Sequence, residues 1–226
     1  GVEVWVLDIG SASMMKLTDA SVNANLRDII NWFADSKSML VKMKPENREQ
    51  LVDKNKVVPS GPTISVADGK KAQNRTYQDL LKSKIDEQNF EVLARSEIHK
   101  VSLDGTSTPW LPADMYGNIS FSPDGSYVMV TVIQRPFSYL VPYYRFPSTT
   151  TIHAADAKAM AKVSVVPLIE DLPKGFMAER PGRRNLSWRD DKEATLIYVE
   201  ALDEGDPENE VDFRDADLSK VNFKGT

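Results

Sequence analysis

The sequence predicts an all-β fold, and three observations carry that expectation. Short alternating stretches rich in Val, Ile, Thr and aromatic residues recur along the chain. Turns built on Asp, Gly and Pro separate them, and an aromatic residue precedes the polar turn in each of three similar units. Small antiparallel sheets that repeat in this way predict propeller blades, whose radial arrangement leaves few exposed edges. The expectation is a partial β-propeller of about three antiparallel blades, in units 1–44, 98–133 and 148–202, with a long, partly helical insert at 45–97. The units are unevenly spaced, and an irregular antiparallel sandwich is the alternative that the pattern leaves open.

The first unit opens with Val2 to Asp8, alternating and rich in Val and Trp, and Met14 to Leu17 returns after a turn at Gly10 and Ser11. Asn31-Trp32-Phe33 then leads into the polar Asp35-Ser36-Lys37, and Met39 to Met43 forms the next strand. In the second unit Lys100 to Leu103 and Ser107 to Leu111 flank Asp104-Gly105, while Asn118 to Ser122 and Tyr127 to Ile133 flank Pro123-Asp124-Gly125. Proline presets φ at the first turn position and glycine tolerates the positive φ that closes the hairpin. In the third, Thr150 to Ala154 and Ala161 to Val166 flank a turn at Asp156 to Lys158. Leu186-Ser187-Trp188 enters the polar Arg189 to Glu193, and Thr195 to Glu200 is the outer strand. Trp32, Phe121 and Trp188 hold the same place in the three units and are expected to anchor neighbouring sheets.

The insert breaks this rhythm. Pro59-Ser60-Gly61-Pro62 is a rigid turn, and Thr76 to Gln88 has helical spacing, with Thr76 as the cap and Tyr77, Leu80, Leu81 and Ile85 on one face. An insert of this size belongs at a rim of the sheet array, where it covers a cavity or a domain interface, or simply decorates it.

Composition excludes several classes. The chain is 226 residues long, 41% hydrophobic and 27% charged, which argues against wholesale disorder. A net charge of -5 gives no concentrated basic face for nucleic acid. Basic residues gather only at Arg180, Arg183, Arg184 and Arg189, a cluster that suits a solvated loop. There is no cysteine, so disulfides and thiolate chemistry are absent. No run of eighteen apolar residues occurs, so no membrane span is expected. The opening Gly-Val-Glu-Val-Trp-Val looks like the interior of a strand, which suggests a chain cut from a larger protein. The expected origin is a periplasmic or secreted bacterial parent.

Chemistry-bearing motifs are scarce. The G-x-S-x-G nucleophile elbow does not occur, and Ser60 before Gly61 is its nearest imitation. His99 and His153 lie in separate strand-like stretches and suit structural or surface roles. Asp203, Asp206, Glu208 and Glu210 offer hard oxygens for calcium, but their spacing fits no helix-loop-helix calcium loop, and an exposed acidic turn is the simpler reading. No cofactor or metal is expected.

The segment Gln134 to Pro147 is the most unusual. It carries three prolines, five aromatics and two arginines, so it stays extended or turned while presenting rings and guanidinium forks. Such backbone lines a pocket or serves as a structural crossing between blades.

Arg135-Pro136-Phe137-Ser138-Tyr139-Leu140-Val141-Pro142, continuing to Arg145-Phe146-Pro147, resembles a stretch of the glutamyl-endopeptidase-like branch of the prolyl oligopeptidase family. The resemblance runs collinearly through Val58 to Pro62, Arg75 to Leu81, Ser102 to Gly105, Pro167-Leu168, Arg183-Arg184, Trp188-Arg189, Glu200 to Asp203, Gly205-Asp206 and Arg214-Asp215. It implies a two-domain serine peptidase in which an N-terminal propeller caps a C-terminal α/β-hydrolase domain carrying the Ser-Asp-His triad. No triad residue maps onto this chain.

On that footing the chain is a non-catalytic propeller segment that restricts substrate access and contributes to peptide binding. The parent hydrolyses peptide bonds, with cleavage after Glu as the implied preference. Its partners are the peptide substrate and the hydrolase domain. Arg135, Tyr139, Tyr143, Arg145, Arg183 and Arg184 are the candidate substrate-binding residues, an arginine meeting a substrate carboxylate. The alternative is a stand-alone propeller-like module that binds a peptide or protein. About three blades do not close a ring, so free sheet edges also allow self-association.

Overall fold

Alternating side chains decide how the strands stack. In a computed structural model, which describes residues 1–57, 77–172, 178–201 and 205, twelve strands form four antiparallel sheets among the described residues. Strands β1 (Trp5–Asp8) and β2 (Ser13–Lys16) make a hairpin. The first four-stranded sheet follows in chain order with β3 (Ile30–Trp32), β4 (Ser38–Met43), β5 (Ser96–Ser102) and β6 (Ser107–Asp114). The second holds β7 (Tyr116–Phe121), β8 (Tyr127–Ile133), β9 (Ser148–Ala154) and β10 (Ala159–Val166). A last hairpin pairs β11 (Arg184–Trp188) with β12 (Leu196–Val199).

All six residues of β4 are buried because its two faces feed two cores. Leu40 joins Phe33, Ile98, Trp110, Tyr116, Ile119, Val128 and Val130 between the two four-stranded sheets. Met39, Val41 and Met43 pack with Val4, Leu17, Val22 and Val101 toward the first hairpin. Equivalent turns of successive sheets then lie side by side. A Cβ on Gly125 would stand 2.5 Å from the Ala34 Cβ, and Asp124 N–H donates to the Glu193 carbonyl at 3.2 Å. Sheets packed face to face with their turns in a row make a partial, open propeller.

The turns fold locally through aspartate. Asp35 Oδ1 accepts from Lys37 N at 2.8 Å and Ser38 N at 3.1 Å, while Asp124 Oδ1 accepts from Ser126 N at 3.1 Å. Gly125 at φ +72° and Gly105 at φ +86° supply the left-handed residues of two of these turns.

One polar group pins the seam between the four-stranded sheets. Lys42 is 1% exposed, and its Nζ donates to the carbonyls of Arg27 at 2.6 Å, Tyr116 at 2.7 Å and Gly117 at 3.4 Å. Burial pulls its ammonium down from 10.5 to about 8, against the opposing pull of the Asp28 carboxylate. Asp28 is itself tied to the second sheet, accepting from Ile119 N at 3.1 Å.

Three expectations need correction. The sheets divide the chain at Met115, between β6 and β7, so the strands do not group as 1–44, 98–133 and 148–202. Turn chemistry is the same between strands and between blades, and only long-range pairing, such as Lys42 with Ile98, shows which strands share a sheet. The helix, α1, runs from Lys84 to Ala94 rather than from Thr76 to Gln88. Ser83 caps it, accepting from Asp86 N at 3.2 Å, while Tyr77 and Leu81 pack on a core without being helical. Thr76 and Pro59 to Pro62 lie outside the described residues. As anchors, Phe121 meets Phe33 edge-on at 4.7 Å and Trp188 Nε1 donates to the Ser120 carbonyl at 3.2 Å, but Trp32 is 50% exposed.

Candidate substrate-facing site

Residues 134–147 leave the second sheet between β8 and β9 and return beside their starting point, where Gln134 N–H donates to the Pro147 carbonyl at 2.7 Å. The segment is therefore an excursion within one blade, not a crossing between two. Ser138 Oγ accepts from Leu140 N at 2.9 Å and turns the chain, and Tyr143–Arg145 forms a single 3₁₀ turn. Phe137 and Phe146 stack at 5.2 Å, and Phe90 of α1 meets both edge-on at 5.2 and 5.7 Å. This aromatic knot sits on a core of Ala94, Met115, Ile133 and Val141. Helix and segment form one body at the rim of the second sheet.

Charge ties them further. Arg135 Nη2 and Nε reach Glu91 Oε2 at 2.7 and 3.1 Å, its Nη1 reaches Glu87 Oε2 at 2.9 Å, and its guanidinium lies 4.4 Å from the Phe137 ring centre. Tyr139 Oη donates to Glu87 Oε1. That hydroxyl, with Arg135 in support, holds the Glu87 carboxyl below its ordinary range, and the same carboxylate raises the Tyr139 phenol. Tyr143 packs on Phe90 at 6.2 Å and remains partly exposed. The Arg145 guanidinium lies 5.3 Å from the Tyr77 ring centre. Its Nη1 and the Tyr77 Oη are buried without a hydrogen-bond partner among the described residues.

Three candidates, Arg135, Tyr139 and Tyr143, thus meet side chains of α1, and Arg145 packs on Tyr77. Arg183 and Arg184 do not join them: Arg183 stacks on Tyr198 at 4.5 Å, and Arg184 pairs with Glu179 at 3.0 Å beside the last hairpin. The sequence reading missed Glu87, Glu91 and Phe90. Their signal was two carboxylates four residues apart, spaced for one guanidinium on a helical face, and it becomes visible only once the helix is placed at Lys84–Ala94.

One cleft borders this body and another lies apart from it. One of about 360 Å³ lies between Pro45 to Glu49 and α1, with Arg48, Arg95 and Glu97 in its wall. The other, about 680 Å³, separates the second sheet from the last hairpin at Phe121, Met129 and Trp188. His99 contacts Ser107 Oγ at 3.0 Å and Glu97 Oε2 at 3.3 Å, a Ser-His-Glu chain across β5 and β6. Of these three residues only Glu97 lines one of the two clefts, and Ser107 and His99 line neither. His153 bonds the Ala157 carbonyl at 3.0 Å within its own turn. Among the described residues no group of three or more His, Asp or Glu side chains is placed to hold a metal. Asp203, Asp206, Glu208 and Glu210 lie outside the described residues.

No protein-family model matches the chain. A rice protein (Oryza sativa subsp. japonica) named "Probable glutamyl endopeptidase, chloroplastic" is 37% identical over 218 residues, covering 95% of this chain and 23% of that protein. Its Arabidopsis thaliana namesake is 35% identical over 216 residues, covering 94% of this chain and 22% of the relative. The chain is glutamyl-endopeptidase-like. It spans less than a quarter of the length of these curated relatives. Glutamyl-endopeptidase-like sequence thus extends over both complete sheets and the excursion at 134–147. The expectation of a periplasmic or secreted bacterial parent is overturned, since both relatives are plant proteins named as chloroplastic. No helix among the described residues is long and apolar enough to cross a membrane.

Proposed function

We propose that this chain is the substrate-screening part of a β-propeller in a serine peptidase of the prolyl oligopeptidase family, whose triad lies on a separate α/β-hydrolase domain. The single observation that carries the reading is the collinear identity, 37% over 95% of the chain, with a protein named as a glutamyl endopeptidase, on a chain that forms propeller blades. The body formed by α1 and residues 134–147 restricts access to the substrate chamber and contributes peptide contacts. Cleavage after Glu is the proposed preference of the parent. Arg145 is the proposed reader of a substrate carboxylate: Arg135 and Arg184 already hold carboxylates of the chain itself and Arg183 stacks on Tyr198, while Arg145 keeps a donor, Nη1, without a partner among the described residues.

The test is hydrolysis of a Glu-containing chromogenic peptide by the 226-residue chain and by the full-length protein, side by side. Turnover by the full-length protein alone is the expected result. Turnover by the chain itself, abolished by a serine-directed inhibitor, overturns the assignment of the chemistry to another domain. Arg145→Ala in the full-length protein should lower the preference for Glu over Gln, and an unchanged preference refutes the role of Arg145.

A further inference from the structure

The two complete sheets set an order that the two hairpins share. Each sheet runs from first to fourth strand in chain order, so β5 and β6, in third and fourth place, precede β7, and β9 and β10 precede β11. By the same order β1 and β2 stand third and fourth before β3, while β11 and β12 stand first and second.

The first-strand aromatic gives a second, independent sign. Trp188 reaches back to Ser120 of the preceding sheet, and Phe121 reaches back to Phe33. Trp32 holds the same place but stays 50% exposed, next to Ile30 at 42%, and Trp5 and Leu7 of β1 are 52% and 55% exposed. Among the described residues β1 pairs only with β2, and an unpaired strand edge beside exposed large apolar side chains is an interaction surface.

We propose that the free edge of β1 and the face of Trp32 dock the first and second strands of a further blade supplied by the longer polypeptide. Its second strand pairs antiparallel with β1, as β4 pairs with β5. Its first strand packs against Trp32, whose indole N–H meets a backbone carbonyl there as Trp188 meets Ser120. This occupant follows from the relatives, of which the chain spans only 22–23%. It also follows from effective concentration, since a tethered strand competes at about millimolar strength against a free second copy. The proposal rests on the reading of the chain as part of a larger propeller.

The experiment compares the dilute 226-residue chain with the full-length protein by amide exchange at Trp5 to Asp8 and by acrylamide quenching. The Trp32 contribution is taken by difference from Trp32→Phe, a mild change at a half-exposed site. In the full-length protein the β1 amides that point away from β2 should exchange at least about 100-fold more slowly, and Trp32 should become several-fold less quenchable. Equal exchange and equal quenching in the two proteins overturn the proposal. Protection that appears in the 226-residue chain with rising concentration and doubled mass also overturns it, by giving the edge to a second copy. Peptide hydrolysis by the full-length protein is scored separately, so loss of the peptidase reading and loss of the docking face remain distinct results.

Discussion

Replacing Lys42 by methionine, which keeps the unbranched chain up to Cε and removes the charged Nζ, tests how the seam between the four-stranded sheets is held. Two opposing terms meet at this residue. The substitution strands the carbonyls of Arg27 and Tyr116, both under 2.8 Å from Nζ, at about 1–3 kcal/mol for each unpaired group. It also removes a buried ammonium, and the drop from 10.5 to about 8 corresponds to about 3 kcal/mol of penalty on the charged form. The terms nearly cancel at neutral pH, so the pH dependence is the sharper readout.

Its sign is fixed by linkage. Between about pH 8 and 10.5 the unfolded chain holds the Lys42 proton and the folded chain does not, so wild-type stability rises with pH across that window. Below pH 8 both states are protonated and the full penalty is present. Urea denaturation of wild type and Lys42→Met at pH 7, 8, 9 and 10 measures the difference, in which all other titrating groups cancel. The difference should move in favour of wild type by up to about 3 kcal/mol from the low end of the window to the high end. A difference that stays flat, or moves toward the variant, refutes the buried-charge account.

Other perturbations test the remaining contacts. Gly125→Ala adds a left-handed alanine at φ +72° and a clash with Ala34 at 2.5 Å, and should cost about 2–3 kcal/mol in thermal or urea unfolding. Ala34→Gly in the same chain should recover the clash but leave the φ cost of about 1 kcal/mol, and full recovery would show that φ is unimportant there. Phe33→Ala empties a site shared by both four-stranded sheets and should lower stability by about 3–5 kcal/mol in the same assay. Arg135→Ala frees two half-exposed ion pairs, so global stability should fall by only about 1 kcal/mol, while amide exchange across Lys84 to Ala94 accelerates more strongly. Because the Glu87 carboxyl lies below its ordinary range, its contribution is complete above that range and is lost as acid titrates it. Tyr139→Phe should therefore shift the acid unfolding midpoint upward.

The sequence by itself determined the strands, their turns and the relationship to glutamyl endopeptidases. Those features are local: Tyr127 to Ile133 is a β-prone run whatever its neighbours, Asp104-Gly105 and Asp124-Gly125 turn through their own backbone, and Arg135 to Pro147 is collinear by residue order alone. Tertiary structure decided which strands share a sheet, because pairing Lys42 with Ile98 spans an insert that no local pattern can see across. It also moved the helix to Lys84–Ala94, where Ser83 offers a cap, while Tyr77 and Leu81 pack outside the helix against the core of Ala94, Met115, Ile133 and Val141. Likewise it turned Arg135 from a free guanidinium into a clamp on Glu87 and Glu91, and left a donor on each of Arg145 and Arg184 without a partner among the described residues. A charged side chain declares its chemistry in the sequence, but the partner that occupies it is chosen only when distant elements are brought within about 3 Å.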